Sequence, residues 1–463
     1  MTIMSNLTAL SPLDGRYAKD VAELRGNFSE MALMRYRLMV EVEYFIALSL
    51  EKGIAEIPAF NSALQKKLRG LYKNFSLSDA EQIKTIEQTT NHDVKAIEYF
   101  IKEKIKALPC AKYSEFIHFA LTSEDINNIA YSLMWQDGLN KILLPELILV
   151  HKTIATFARQ HIKQPLLALT HGQPATPTTV GKEFAVFAKR LERKISRMNK
   201  HHRLLGKLNG ATGGYNAMVI AYPNVDWIKF SKKFVTSLDL EFNPLTTQIE
   251  PHDSLAEQCR LIQHINNILI DFSRDIWLYI MRGVLGQKKK EGEIGSSTMP
   301  HKINPINFEN AEGNLGMANA LLNHFAEKLP ISRLQRDLSD STVLRNQGVA
   351  LGYSLLALKN ILKGMSRLTV NSELLNSELE NHWEVLAEAI QTILRKVGYA
   401  GAYEKLKELT RGQKMTKETI RAFVKKLDIP KNEKEKLLKL TPQNYTGLAG
   451  SVSVIARKKS RDD

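Results

Sequence analysis

Between residues 253 and 280, apolar side chains recur every seven residues. Leu255, Ile262, Leu269 and Ile276 hold one seam position; Ile265, Phe272 and Tyr279 hold the other, and only Gln258 interrupts it. An apolar period near 3.5 residues belongs to a helix that packs along its length against other helices, as in a coiled coil. Residues 253–280 would span about 42 Å at ~1.5 Å per residue. That is too long for a compact single-layer domain, so the segment predicts a long helical bundle able to pack against other subunits. Asp253 or Ser254 is the expected N-cap.

The remainder reads the same way. Further long helices are expected at about 139–162, 177–205 and 344–366. Thr176-Pro177 offers a capping hydroxyl followed by proline at a first helical position. Asn91-His92-Asp93 opens a segment with the apolar stripe Val94, Ile97, Ile101 and Ile105. No strand-period alternation is sustained, and the chain breakers are few: Gly 25 and Pro 15 in 463 residues, below the roughly 12% average. The expected fold class is all-α. Pro109-Cys110 and Val370-Asn371-Ser372 mark candidate boundaries, giving an N-terminal helical domain over residues 1–112, a central long-helix bundle over 113–366 and a C-terminal helical domain over 367–463.

Several function classes lose ground. The formal net charge of +15 admits nucleic-acid binding, but no zinc-finger, RNP or helix-turn-helix signature accompanies it. Lys-rich stretches such as 431–439 and the tail Arg457-Lys458-Lys459 suit a solvated surface, and the positive field favours small anionic substrates. Cys110 and Cys259 form no framework and show no metal-ligand spacing, which fits a reducing cytoplasm. No secretory signal is visible, and no apolar run reaches the ~18 residues of a membrane span. Phosphate-cradling, dinucleotide, GxSxG and HExxH motifs are missing.

Chemistry concentrates in loops. Gly295-Ser296-Ser297-Thr298-Met299-Pro300-His301-Lys302-Ile303-Asn304-Pro305 brings hydroxyls, a lysine and an asparagine together. Such a set can hold a carboxylate and present a base, or can be a surface loop. Thr170-His171-Gly172-Gln173-Pro174-Ala175-Thr176 places a histidine shortly before a helix start, where anions are attracted and an imidazole can act as an acid; a lone loop histidine bonded to backbone is the plainer reading. Leu121-Thr122-Ser123-Glu124-Asp125 can cap a helix or bind oxygens, and His118 stands four residues before Thr122. Asp14-Gly15-Arg16-Tyr17 carries an arginine able to grip a phosphate.

Together these loops resemble the fumarase/aspartase superfamily, whose GSSxMPxKxNP signature is matched by residues 295–305. His301, Thr170–Pro177, Thr122–Asp125, Ser11–Tyr17 and Thr89–Val94 make the chain most similar to the adenylosuccinate branch, in its bacterial form. The resemblance runs essentially end to end. It implies a three-domain all-α fold, a homotetramer whose central bundles form one core, and active sites shared between subunits. It also implies a C–N lyase of purine nucleotide synthesis that releases fumarate from succinylated purine nucleotides.

The resemblance assigns roles residue by residue. Ser296 would be the general base, although spacing alone leaves Ser297 open, and His171 the general acid at the departing nitrogen. Lys302 and Asn304 would hold the succinyl carboxylates. Arg16, Tyr17, Arg336, Ser341 and Arg345 would surround phosphate or ribose. Asn91, His92, Asp93, Thr122, Ser123, Gln248 and Asn310 would line the substrate, and His118 would support His171. Elimination needs only proton transfer and carboxylate stabilisation, so no metal or cofactor is expected. Two other readings remain: another lyase of the superfamily, such as one acting on argininosuccinate, and a non-catalytic helical scaffold. Intact Ser296, His171, Lys302 and Asn304 argue against the second.

Overall fold

A computed structural model of the chain describes residues 6–200, 203–288, 299, 302–401, 404, 406 and 415–451. Ser296, Ser297 and the basic tail lie outside the described residues. The chain is all-α: the heptad segment forms one helix, Asp253–Met281, and the other long helices are Leu144–Gln160, Val180–Lys200, Ile306–Lys328 and Gln347–Met365. Leu255, Ile262, Ile265, Leu269, Phe272 and Ile276 are all buried, as the period requires. The polar interruption Gln258 is buried too, and its Oε1 accepts the Trp135 indole N–H at 2.7 Å. Tyr279 donates to Glu183 Oε2 at 3.0 Å.

Two starts differ from the sequence reading. The helix expected from Pro177 begins at Val180, because Thr178–Thr179 first pairs with Pro165–Leu166 as a short antiparallel ladder. Thr179 Oγ1 then accepts the Lys182 N–H at 3.1 Å, while the Thr176 hydroxyl bonds Glu388 instead. Likewise Ser254 does not cap Asp253–Met281; its Oγ accepts the Leu205 N–H at 3.1 Å, and His252 precedes the helix with a left-handed φ of 61°.

The chain forms two compact units, each assembled from three separated stretches. The first comprises Met1–Leu147, Lys194–Asn267 and Gly313–Lys359. There the buried helix Glu30–Ser49 packs on Ser123–Gly138, and Leu77–Thr90 on Asp93–Lys104. Both starts are capped as the sequence suggests. His92 Nδ1 accepts the Lys95 N–H at 3.1 Å, and Thr122 and Asp125 form a reciprocal capping box. The second unit comprises Ile148–Arg193, Ile268–Glu312 and Asn360–Asp463. Its C-terminal core gathers Trp383, Ile390, Leu394, Ile420, Val424 and Leu437. Its strands are two or three residues long, too short to leave an alternating pattern. Among the described residues no helix is long and apolar enough to cross a membrane.

Candidate active site

The sequence-predicted residues divide between the units. In the first, Asn91 ends one helix in the left-handed conformation, φ 50°, and turns the chain so that His92 caps the next. Asp93 at its first turn meets two guanidiniums, Arg37 Nη2 at 2.8 Å and Arg345 Nη2 at 3.2 Å. Burial opposes ionisation of Asp93, but Arg37, the Val94 N–H and Arg345 together hold its carboxyl below the usual range. Arg345 also reaches Glu30 Oε2 at 2.9 Å. Arg345 is thus held between two carboxylates. Arg16 is exposed, and its guanidinium stands 5.9 Å from the ring of Tyr17.

Deeper in the same unit, Arg336 joins two predicted elements. Its Nη1 donates to Gln248 Oε1 at 3.4 Å and its Nη2 stands 3.3 Å from Glu124 Oε2, next to Thr122 and Ser123. Gln248 Nε2 is anchored on the Ala211 carbonyl at 2.9 Å, and Ser341 N–H donates to Asp340 Oδ1 at 2.7 Å. Beneath this layer Asp125 Oδ1 pairs with Lys207 Nζ at 2.9 Å, both side chains fully buried, and accepts the Asn209 N–H at 3.0 Å. Lys207→Met should cost about 3–5 kcal/mol, the range for stripping one partner from a buried pair, because Asp125 would stay buried with only backbone donors. Thermal unfolding with helical content checks this; a loss near zero would mean that the pair adds nothing beyond an apolar filler.

His118 takes a partner that the sequence did not suggest. Its Nδ1 lies 2.5 Å from Glu41 Oε1, a carboxylate with no exposure. Burial would lower this imidazole, yet the Glu41 charge prevails and raises it. Arg37, Glu41, Lys207, His252 and Asp340 were all missed by sequence reasoning, because they belong to none of the motifs; Glu124 lies inside the Leu121–Asp125 loop but was given no role of its own. Glu124, His252 and Asp340 each offer one ligand atom, all within 4.8 Å of one another. That set could hold a metal ion, although Arg336 already places a cation on Glu124.

In the second unit His171 is not at a helix start. Leu169–Thr170 pairs with Gln173–Pro174, leaving His171 and Gly172 as a two-residue hairpin loop with φ of 53° and 73°. Positive φ at both central residues is the type I′ geometry. The imidazole is thus exposed at a hairpin tip, and among the described residues it has no hydrogen-bond partner. Lys302 is exposed and Asn304 and Asn310 half-buried in this same unit, with the stretch before Ile306–Lys328 tied by Gln287 Nε2 to the Ile303 carbonyl at 3.2 Å. Asn91, His118, His171 and His252 all hold positive φ. Such outliers gather where function over-determines the backbone.

Comparison with known proteins gives the family of the chain. The family model described as Lyase matches residues 15–319, and that described as Adenylosuccinate lyase C-terminal matches residues 332–446. The chain is 54% identical to adenylosuccinate lyase of Haemophilus influenzae over 96% of its length and 98% of the relative's. It is 53% identical to that of Escherichia coli over the same shares. Among solved structures, fumarate lyase from Mesorhizobium sp. BNC1 superposes with a TM-score of 0.76 at 18% identity, covering 94% of this chain and 97% of that one. The 3-carboxy-cis,cis-muconate lactonizing enzyme of Pseudomonas putida gives 0.71 at 20% identity, covering 94% and 96%. These distant structures share the fold, and the near relatives narrow it: the chain belongs to the adenylosuccinate lyase family.

Proposed function

We propose that this protein eliminates fumarate from adenylosuccinate, leaving AMP, and from the succinylaminoimidazole carboxamide ribotide, leaving its carboxamide. Likeness to adenylosuccinate lyases over nearly the whole chain carries the reading. Ser296 takes the proton from the succinyl carbon beside a carboxylate. The carbanion delocalises into that carboxylate as a dianion, which Lys302 and Asn304 stabilise. The electron pair then forms the double bond of fumarate, the C–N bond breaks, and His171 protonates the departing nitrogen. Arg16, Tyr17, Arg336, Ser341 and Arg345 receive the phosphate and ribose, with Asn91, His92, Asp93, Thr122, Ser123, Gln248 and Asn310 along the rest of the substrate. His118, ion-paired with Glu41, supports the acid.

The acting species is a cytoplasmic homotetramer whose sites draw on several chains. Two observations favour assembly. Trp277, Leu278 and Met281 leave 39%, 46% and 63% of their surface exposed at one end of Asp253–Met281, and a contiguous apolar patch of this kind marks an interaction surface. The acid His171 stands exposed at its hairpin tip, so its reaction partners must come to it. Absorbance-monitored turnover tests the activity. Fumarate release from adenylosuccinate and not from argininosuccinate is expected; the reverse preference would move the chain to a sibling lyase, and inertness toward both would leave a scaffold.

A further inference from the structure

Three segments that carry residues assigned to the nucleotide converge on one buried imidazole. His252 is 4% exposed. Its Nδ1 lies 3.8 Å from Glu250 Oε2 and its Nε2 lies 3.9 Å from Asp340 Oδ2, while Glu124 offers an atom within 4.8 Å of both His252 and Asp340. Each carboxylate sits beside a residue of the proposed site. Glu124 follows Ser123, Glu250 lies two residues after Gln248, and Asp340 precedes Ser341. The His252 backbone is committed as well, its N–H donating to Glu250 Oε2 at 2.7 Å from a left-handed conformation.

The charge state follows from the geometry. A neutral imidazole has one N–H and one lone pair, so one of its nitrogens would turn a lone pair toward a carboxylate. Only the imidazolium points a donor at both Glu250 and Asp340. The neighbouring groups agree: four carboxyls, Glu124, Asp125, Glu250 and Asp340, face two cations, Arg336 on Glu124 and Lys207 on Asp125. An imidazolium supplies a third positive charge, and a proton on one carboxyl balances the fourth. Glu124 is the group that keeps it; burial pushes its carboxyl up to about 7 against the pull of Arg336 and His252. Its Oε1 and His252 Nε2 are buried without a hydrogen-bond partner. Arg336 and Lys207 already supply the charge that a divalent ion would bring.

We propose that His252 is a positioning residue: a buried imidazolium that clamps the segments around 122–124, 248–250 and 336–341, and so sets Ser123, Gln248, Arg336 and Ser341 in register for the nucleotide. The inference rests on the assignment of those residues to the substrate. It gives a definite pH sign. Below about 7 Glu124 holds its proton and the cluster is neutral; above it Glu124 ionises, draws Arg336 more tightly, and leaves less of that guanidinium for substrate. KM should rise with pH across this window while kcat changes little.

Steady-state kinetics of the purified full chain on adenylosuccinate between pH 6.5 and 8.5 tests this, with His252→Gln, Glu124→Gln and Arg336→Lys. His252→Gln should raise KM about tenfold or more with kcat within about threefold. Glu124→Gln, which fixes the neutral form, should keep the wild-type KM at pH 6.5 and abolish its rise at pH 8.5. The inference is overturned if folded His252→Gln leaves KM unchanged, or lowers kcat alone. If His252→Gln does not fold, Glu124→Gln decides, and an unaltered pH slope of KM rejects the clamp. Arg336→Lys separates the two levels: an unchanged KM there removes Arg336 from the substrate and overturns the site assignment itself.

Discussion

Turnover should fall by roughly 10²–10⁴-fold or more when Ser296 is replaced by Ala, and by a similar factor when the imidazole of His171 is removed, the range for a positioned acid or base. His171 is exposed, so its replacement removes the proposed acid without touching a buried contact among the described residues. For the acid, the hairpin suggests a cleaner substitution than alanine. Asn-Gly is the preferred type I′ pair, and His171-Gly172 occupies those two positions. His171→Asn should therefore keep the turn, hold or raise thermal stability, and still lose the acid. Alanine at a φ of 53° mixes backbone strain with lost chemistry. Circular dichroism with single-turnover fumarate release checks both sites. Near-normal turnover by Ser296→Ala would remove that serine from the mechanism and turn attention to Ser297; near-normal turnover by His171→Asn would require a different proton donor.

Mixing two inactive variants should restore activity. If the acid and the base of one site come from different subunits, a mixed tetramer of His171→Asn and Ser296→Ala chains contains sites in which both residues are intact. With equal and random mixing, the chain that donates the acid is the serine variant in one half of cases, and the chain that donates the base is the histidine variant in one half. Roughly a quarter of sites should then be wild type, by the equivalence of positions in a closed homo-oligomer. Against parents reduced at least a hundredfold, that recovery is large. Subunit exchange verified by mass spectrometry, with activity still at the parental level, would show that each chain supplies its own acid and base.

Much of the helical architecture was legible because its causes are periodic. The seven-residue repeat from Leu255 to Tyr279 survives intact as one helix, and the starts at His92 and Thr122 were announced by their capping side chains. What escaped was set by single tertiary contacts. Thr176-Pro177 has the chemistry of a helix start, yet pairing of Thr178–Thr179 with Pro165–Leu166 delays that start to Val180. The His171 hairpin was unreadable because its strands are two residues long and His-Gly is not among the Asn-Gly, Asp-Gly and Gly-Gly pairs that announce a type I′ turn. The proposed site splits along the same line. Arg345 and Asp93 were named through the family resemblance, and they meet. Glu41, Lys207 and His252 lie outside every motif, and only the folded chain brings them to His118, Asp125, Glu250 and Asp340.

The discontinuity of the two compact units has a consequence for how such a chain comes into being. The first closes with a stretch ending at Lys359, and the second draws on residues from Ile148 onward. During synthesis neither can complete itself until most of the polypeptide has left the ribosome, so early helices wait with apolar stripes uncovered. Contacts between distant stretches slow folding, and waiting surfaces of that kind invite aggregation and the attention of chaperones. Nor can either unit be excised as a continuous fragment. Fragment studies would need chain permutation or complementation of three separate pieces, and a nonsense codon as late as residue 340 would leave both units unfinished rather than one of them whole.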